Sequence, residues 1–129
     1  MMELWISGQC YSFKFGFGFM KEINKEIVIK NGDGVSVEAG LRYAVASLYD
    51  GDAEKLAHVL AVANKGQDPR LTPMALEHYI EDECEDIEAL FEETLHFLWK
   101  SNVCRKVVAT LYKNLEKPFP WEETDAKAE

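Results

Sequence analysis

The sequence is short of bases. Its 129 residues carry 14 Lys and Arg against 23 Asp and Glu, a formal net charge of −9. Nucleic-acid binding needs a basic face that displaces counterions from phosphates, so this balance points away from DNA or RNA as the main partner. Cysteine is scarce as well. Cys10, Cys84 and Cys104 are too few and too scattered for a disulfide framework or a zinc site, and reduced thiols in a cytosolic protein are the simplest reading. No apolar run approaches the ~18 residues that would span a bilayer. The N-terminus lacks the basic region and apolar stretch of a secretory signal. The expectation is a soluble, cytoplasmic protein with no membrane partner.

Catalytic and cofactor motifs are incomplete. Gly16-Phe17-Gly18 resembles the start of a dinucleotide loop, but Lys21 stands where the third glycine belongs and no parallel βαβ pattern surrounds it. These glycines instead ease a strand-to-helix turn among crowded phenylalanines. Glu93-x-x-His96 has the spacing used in di-metal helical bundles, which need two such motifs and two further glutamates; there is one copy here. If the helices are continuous, His78, Asp82, Glu85, Glu92 and His96 share one face, opposite the apolar stripe, and read as a solvated acidic face. His58 reads as a boundary residue with one satisfied nitrogen. Nothing places a histidine beside a cysteine, so no nucleophile stands out. The expectation is a non-enzymatic protein with no cofactor and no metal.

What is present is a change of hydrophobic period. From Glu3 to Phe15 apolar residues alternate. Leu4 and Ile6, then Tyr11, Phe13 and Phe15, share one face of a β-hairpin turned at Gly8-Gln9, read as a type II′ turn. A lone hairpin is marginal in water, so that face must pack on helices. From Gly16 to about Ile27 the spacing Phe19, Ile23, Ile27 is helical. Asn31-Gly32-Asp33-Gly34 is a turn, across which Ile27–Lys30 and Val35–Val37 can pair as a second short hairpin. A helix over about Val37 to Tyr49, capped by Ser36, buries Leu41, Ala44, Val45 and Leu48. Asp52 caps a nearly all-apolar helix over Ala53 to Asn64, expected to be the most buried. Thr72 caps the next, with Pro73 at its first position. A break falls near Glu81 to Glu83, where Asp82 and Glu85 have capping-box spacing. The following helix buries Ile87, Leu90, Phe91, Leu95 and Leu98. Asn102 caps a last helix with the stripe Cys104, Val107, Val108, Leu111, Tyr112 and Leu115. The predicted architecture is α+β and mainly α: an N-terminal hairpin packed on five to six helices, in a single domain over 1–117, with a flexible tail over 118–129.

Charge is unevenly placed. Nine acids and no Lys or Arg lie between Glu77 and Glu93, and five bases against Glu116 alone lie between Lys100 and Lys117. Either the acidic helix lies antiparallel to the basic one and the two neutralise each other, or the acidic face recruits a basic or helical partner. Phe119 and Trp121, set between and after Pro118 and Pro120, either fold back on the domain or form a short linear contact. The candidate partner-binding residues are Phe119, Trp121, Glu85, Glu88 and Glu92.

The order of these elements resembles a known family. The opening Phe13-Lys14-Phe15-Gly16-Phe17-Gly18-Phe19-Met20-Lys21-Glu22-Ile23-Asn24-Lys25 is similar to the start of the tail assembly chaperones of siphophages and prophages of Gram-positive bacteria. The similarity continues through Gly40-Leu41-Arg42-Tyr43-Ala44, Leu48 and Gly51-Asp52. It is strongest from Glu85-Asp86-Ile87-Glu88-Ala89-Leu90-Phe91-Glu92-Glu93 to Lys100-Ser101-Asn102. It covers Met2 to Leu115, and its specificity lies in the combination rather than in any one string. The resemblance implies a cytoplasmic protein of the infected host, absent from the finished virion. Such a protein binds the tape measure protein and helps recruit tail tube protein around it. Many of these chaperones also have a longer form made by frameshifting, for which Pro118–Glu129 marks a possible start. No family motif identifies binding residues. The resemblance also suggests a homo-oligomer, since helical chaperones of this size often self-associate. The alternatives are a host or mobile-element adaptor of the same fold class and, more distantly, a metal-dependent enzyme.

Overall fold

Alternation along the first thirteen residues builds a two-stranded antiparallel hairpin, β1 (Met2–Ile6) and β2 (Gln9–Phe13), paired from Met2 with Phe13 to Ile6 with Gln9. Met2, Leu4, Ile6, Phe13 and Phe15 point into the core, while Trp5 on the opposite face is 71% exposed. The computed structural model describes residues 1–121; the expected tail beyond Trp121 lies outside them. The turn differs from the expectation. It is Ser7-Gly8, with φ of 51° and 79°, so both central residues are left-handed as in a type I′ turn. Serine is a poor left-handed residue. Here its N–H and Oγ both donate to the Glu83 carboxylate, at 3.2 and 2.8 Å, a partner 76 residues away. A local reading that puts glycine first in the loop has no access to that contact.

Six helices follow, with a second hairpin between the first two: α1 (Phe17–Asn24), β3 (Val28–Lys30), β4 (Ser36–Glu38), α2 (Gly40–Tyr49), α3 (Ala53–Asn64), α4 (Pro73–His78), α5 (Ile87–Lys100) and α6 (Arg105–Asn114). The fold is α+β and mainly α, as the periodicities imply. Phe15, Phe19, Ile23, the apolar side of α2, most of α3, Leu76, Leu90, Leu95, Leu98 and Val108 close one core. In α3, eight residues from Leu56 to Asn64 are buried, and α2 touches α1, α3, α5 and α6. The hairpin is tied down by Lys14 N–H donating to the Ala63 carbonyl (2.8 Å) and Ser101 Oγ donating to the Phe15 carbonyl (2.5 Å).

Element boundaries moved where two signals claimed the same residues. By pattern Val37 fits both the second hairpin and the start of a helix capped by Ser36. The ladder wins, and the Ala39 N–H extends it to the Ile27 carbonyl at 2.8 Å. Helix α2 therefore begins at Gly40, and its Leu41 N–H is capped by Asn24 Oδ1 at 3.0 Å. That use of Asn24 ends α1 three residues short of Ile27. The break after α4 is a wide turn over Tyr79–Glu83 that absorbs Asp82, so the cap of α5 is Asp86, accepting from Ala89 N–H at 3.1 Å. Asn102 does not cap α6; the Ser101 carbonyl receives the N–H groups of Cys104 and Arg105. Leu115 is exposed instead of closing the α6 stripe.

Two caps stand as read. Thr72 Oγ1 accepts from Ala75 N–H, with Pro73 first in the helix, and Asp52 Oδ1 accepts from Lys55 N–H at 3.0 Å. Asp52→Ala is expected to lower stability by about 1 kcal/mol, because α3 then starts with an unsatisfied donor. The shift in urea midpoint, with unchanged m-value, measures it.

Candidate partner-binding surface

Asp86 starts α5 so that its buried side holds Leu90, Thr94, Leu95, Leu98 and Trp99, with Ile87 and Phe91 half-buried beside them. The opposite side carries Glu88 and Glu92, and Glu85 precedes it; all three are exposed. Helix α6 packs on α5, yet among the described residues no acid from Asp82 to Glu93 lies within 4.0 Å of a lysine or arginine. Arg105 is occupied otherwise. Its Nε and Nη2 donate to the Trp99 and Lys100 carbonyls at 2.9 and 3.0 Å, capping the end of α5, and its guanidinium lies 5.7 Å from the Trp99 ring. No close ion pair thus joins the two helices among the described residues, and Glu85, Glu88 and Glu92 stay exposed. At its upstream end His78 lies beside Asp82 (3.0 Å) and Glu83 (3.8 Å), and Glu83 also holds the Ser7 turn.

That face does not continue straight from α4 to α5, because the wide turn and Cys84 separate them. His78 and Asp82 therefore stand apart from Glu92 and His96. His96 is also not a solvated residue: it is half-buried, stacked on Trp121 at 5.1 Å and on Trp99 at 6.0 Å. A groove of about 360 Å³ separates the outer hairpin from α5, lined by Trp5, Tyr79, Glu83, Glu85, Asp86 and Glu93 among others. Burial raises the Glu93 carboxyl above its ordinary range, partly countered by Lys100, and burial also raises the Tyr79 hydroxyl.

Phe119 and Trp121 fold back onto the helices. Phe119 stacks on Tyr112 at 5.4 Å and meets Trp99 edge-on at 5.2 Å, and Trp121 lies 5.7 Å from Tyr112 and 5.8 Å from Trp99. Phe119 and Trp121 stand out in the sequence, but their partners His96, Trp99 and Tyr112 do not, because the cluster is spread over three segments.

A groove of about 760 Å³ beside the start of α1 contains Lys14, Phe17, Glu22, Lys65 and Ser101. Its single hydroxyl, Ser101, is committed to the Phe15 carbonyl, and Lys65 pairs with Glu22 at 2.5 Å. Among the described residues no three His, Cys, Asp or Glu gather as metal ligands. His58 is exposed at the domain surface, with Nε2 held by Glu26 at 2.6 Å. Cys104 is fully buried and its thiol is pushed up to about 11, by burial first. Burial and then Glu3 raise Cys10. Native protein treated with a thiol reagent at pH 8 is therefore expected to modify Cys84 and, more slowly, Cys10. Cys104 should react only after unfolding.

A family model described as phage tail assembly chaperone protein, TAC, matches residues 3–113. The chain belongs to the phage tail assembly chaperone family. Nothing among curated proteins or solved structures matches it. The family's span takes in the hairpin, all of α1 to α5 and most of α6, hence the acidic face, Trp99 and Tyr112, and ends before Phe119 and Trp121. Among the described residues no helix of this chaperone-family chain is long and apolar enough to cross a membrane.

Proposed function

We propose that the protein acts without catalysis, binding the tape measure protein in the host cytoplasm and helping to recruit tail tube protein, and that it is absent from the finished virion. Membership of the chaperone family supports a role in tail assembly. The observation that carries the mode of binding is the exposed row Glu85, Glu88 and Glu92, left without lysine or arginine partners by its own fold. An open acidic face on a rigid helix suits a partner helix with a basic side, held by many weak charge contacts that salt would screen.

Co-expression with the tape measure chain of the same genome tests this. The expected result is a soluble tape measure chain that co-purifies at low salt and dissociates as salt is raised. Charge reversal at all three positions, E85K/E88K/E92K, is expected to weaken recovery about tenfold, since exposed charge contacts contribute ~0.2–1 kcal/mol each. The folded state should be unaffected. A tape measure chain that stays insoluble beside well-folded protein would sink the proposal and favour an adaptor for another partner.

A further inference from the structure

The end of the described chain folds back on its own domain. After α6, Glu116 adopts a left-handed conformation (φ 56°) that turns the chain back, and Lys117 N–H donates to the Tyr112 carbonyl at 3.1 Å. Pro118-Phe119-Pro120-Trp121 then crosses α5 and α6. Its rings lie against an aromatic cleft formed by His96, Trp99 and Tyr112: Trp121 is half-buried there and Phe119 stays 37% exposed, with Trp99 5% and Tyr112 8% exposed beneath them. The contacts seen among the described residues are between rings. Among the described residues no hydrogen bond ties Pro118–Trp121 to the helices. Two of those four residues have no N–H to donate, and proline at alternate positions favours an extended polyproline-type backbone. Both prolines are exposed and stiffen the segment, while the rings of Phe119 and Trp121 make its contacts, so an extended backbone presents aromatic anchors to an aromatic surface.

The family model covers one half of this contact. Trp99 and Tyr112 lie inside the span shared with the family, whereas Phe119 and Trp121 lie beyond it. Glu88 and Glu92 lead along α5 towards His96 at helical spacing of four, so the acidic face runs into the cleft. Glu92 is close enough to raise the Tyr112 hydroxyl, after burial and Tyr49.

We propose that the cleft of His96, Trp99 and Tyr112 is a docking site for a proline–aromatic peptide segment of a partner, with a basic residue flanking it. In the isolated chain its own Phe119 and Trp121 occupy that site and must leave before the partner enters. This rests on the reading of the chain as a protein-binding chaperone. It adds the chemistry of the bound segment and a self-occupied state that lowers apparent affinity by the fraction of closed molecules.

A labelled peptide of the sequence Leu115 to Trp121 is titrated into the full chain and into F119A/W121A, with binding followed by anisotropy. The double variant should bind it at least about tenfold more tightly than the wild type, because its cleft is open. Adding Trp99→Ala to the double variant should abolish that gain. Equal affinity for wild type and double variant, or no binding to a double variant with native circular dichroism, overturns the proposal. Should the double variant lose its helical signal, W121A alone, which keeps Phe119 on Tyr112, carries the same comparison. Concentration-dependent dimerisation of the wild type that disappears in the double variant would also overturn it, by assigning the segment to a second copy. No tail protein enters the titration, so its failure is separable from failure of tape measure binding.

Discussion

Gly40→Ala is expected to cost about 3 kcal/mol or more, and to leave little folded protein if the domain has ordinary stability. Gly40 is the first residue of α2, where that helix crosses the end of α1. An added Cβ would sit 1.7 Å from the Ile23 carbonyl oxygen and 2.7 Å from its carbon. These are backbone atoms, so no rotamer change relieves the contact. The helices would have to separate at a point where Ile23 is 1% exposed and Leu41 is 2% exposed. Separation would also pull Asn24 Oδ1 away from the Leu41 N–H it caps. Two losses follow from one methyl group. Gly18→Ala is the matched control: a Cβ there meets nothing within 4 Å, and the residue lies inside α1. That change should be neutral or slightly stabilising, since alanine favours helix over glycine by ~1 kcal/mol. Urea titration of both variants separates crowding from propensity. A Gly40→Ala protein as stable as wild type would mean that the two helices tolerate a wider crossing.

The contrast between those glycines shows what was legible and what was not. Alternation and helical spacing are properties of neighbours in the chain, and they revealed both hairpins, the six helices and the buried character of α3. Caps made by a residue on its own helix, Asp52 and Thr72, were legible for the same reason. Caps and turns supplied from elsewhere were not: Asn24 on α2, and Glu83 on the Ser7-Gly8 turn, depend on contacts 17 and 76 residues apart. The acidic row was plain as composition, but its freedom from lysine and arginine was not. It depends on Arg105 turning to the Trp99 and Lys100 carbonyls rather than to a carboxylate. His96 was misplaced because its spacing from Glu92 puts it on the acidic stripe, and only the returning Trp121 converts that position into the wall of a cleft. Pattern reading assigns a residue to a face; the chain that later covers the face decides its environment.

Asn64→Leu is expected to cost about 3 kcal/mol although it keeps the same branched heavy-atom skeleton and adds apolar surface. Asn64 ends α3 with no exposed surface and spends all its hydrogen-bonding capacity on other segments. Its Nδ2 donates to the Ser12 carbonyl of β2 at 3.0 Å and to the Pro69 carbonyl at 3.3 Å. Its Oδ1 accepts from Leu71 N–H at 2.6 Å and from Arg70 Nη1 at 2.9 Å. One amide thus joins the hairpin, the central helix and the loop that leads to α4. Leucine would fill the space but leave the Leu71 N–H and two carbonyls without a partner. Each buried orphan costs ~1–3 kcal/mol, which outweighs the gain from apolar burial of a group already surrounded. Arg70→Ala removes the exposed member of the same network, including its bond to the Ala61 carbonyl at 3.0 Å, and should cost only about 1 kcal/mol. Hydrogen exchange at the Leu71 amide makes the distinction local. It should accelerate sharply in Asn64→Leu, beyond what the lower global stability requires, and only in step with global stability in Arg70→Ala. If Leu71 stays protected in Asn64→Leu, another acceptor has replaced Oδ1, and the segment between α3 and α4 is held by packing rather than by this side chain.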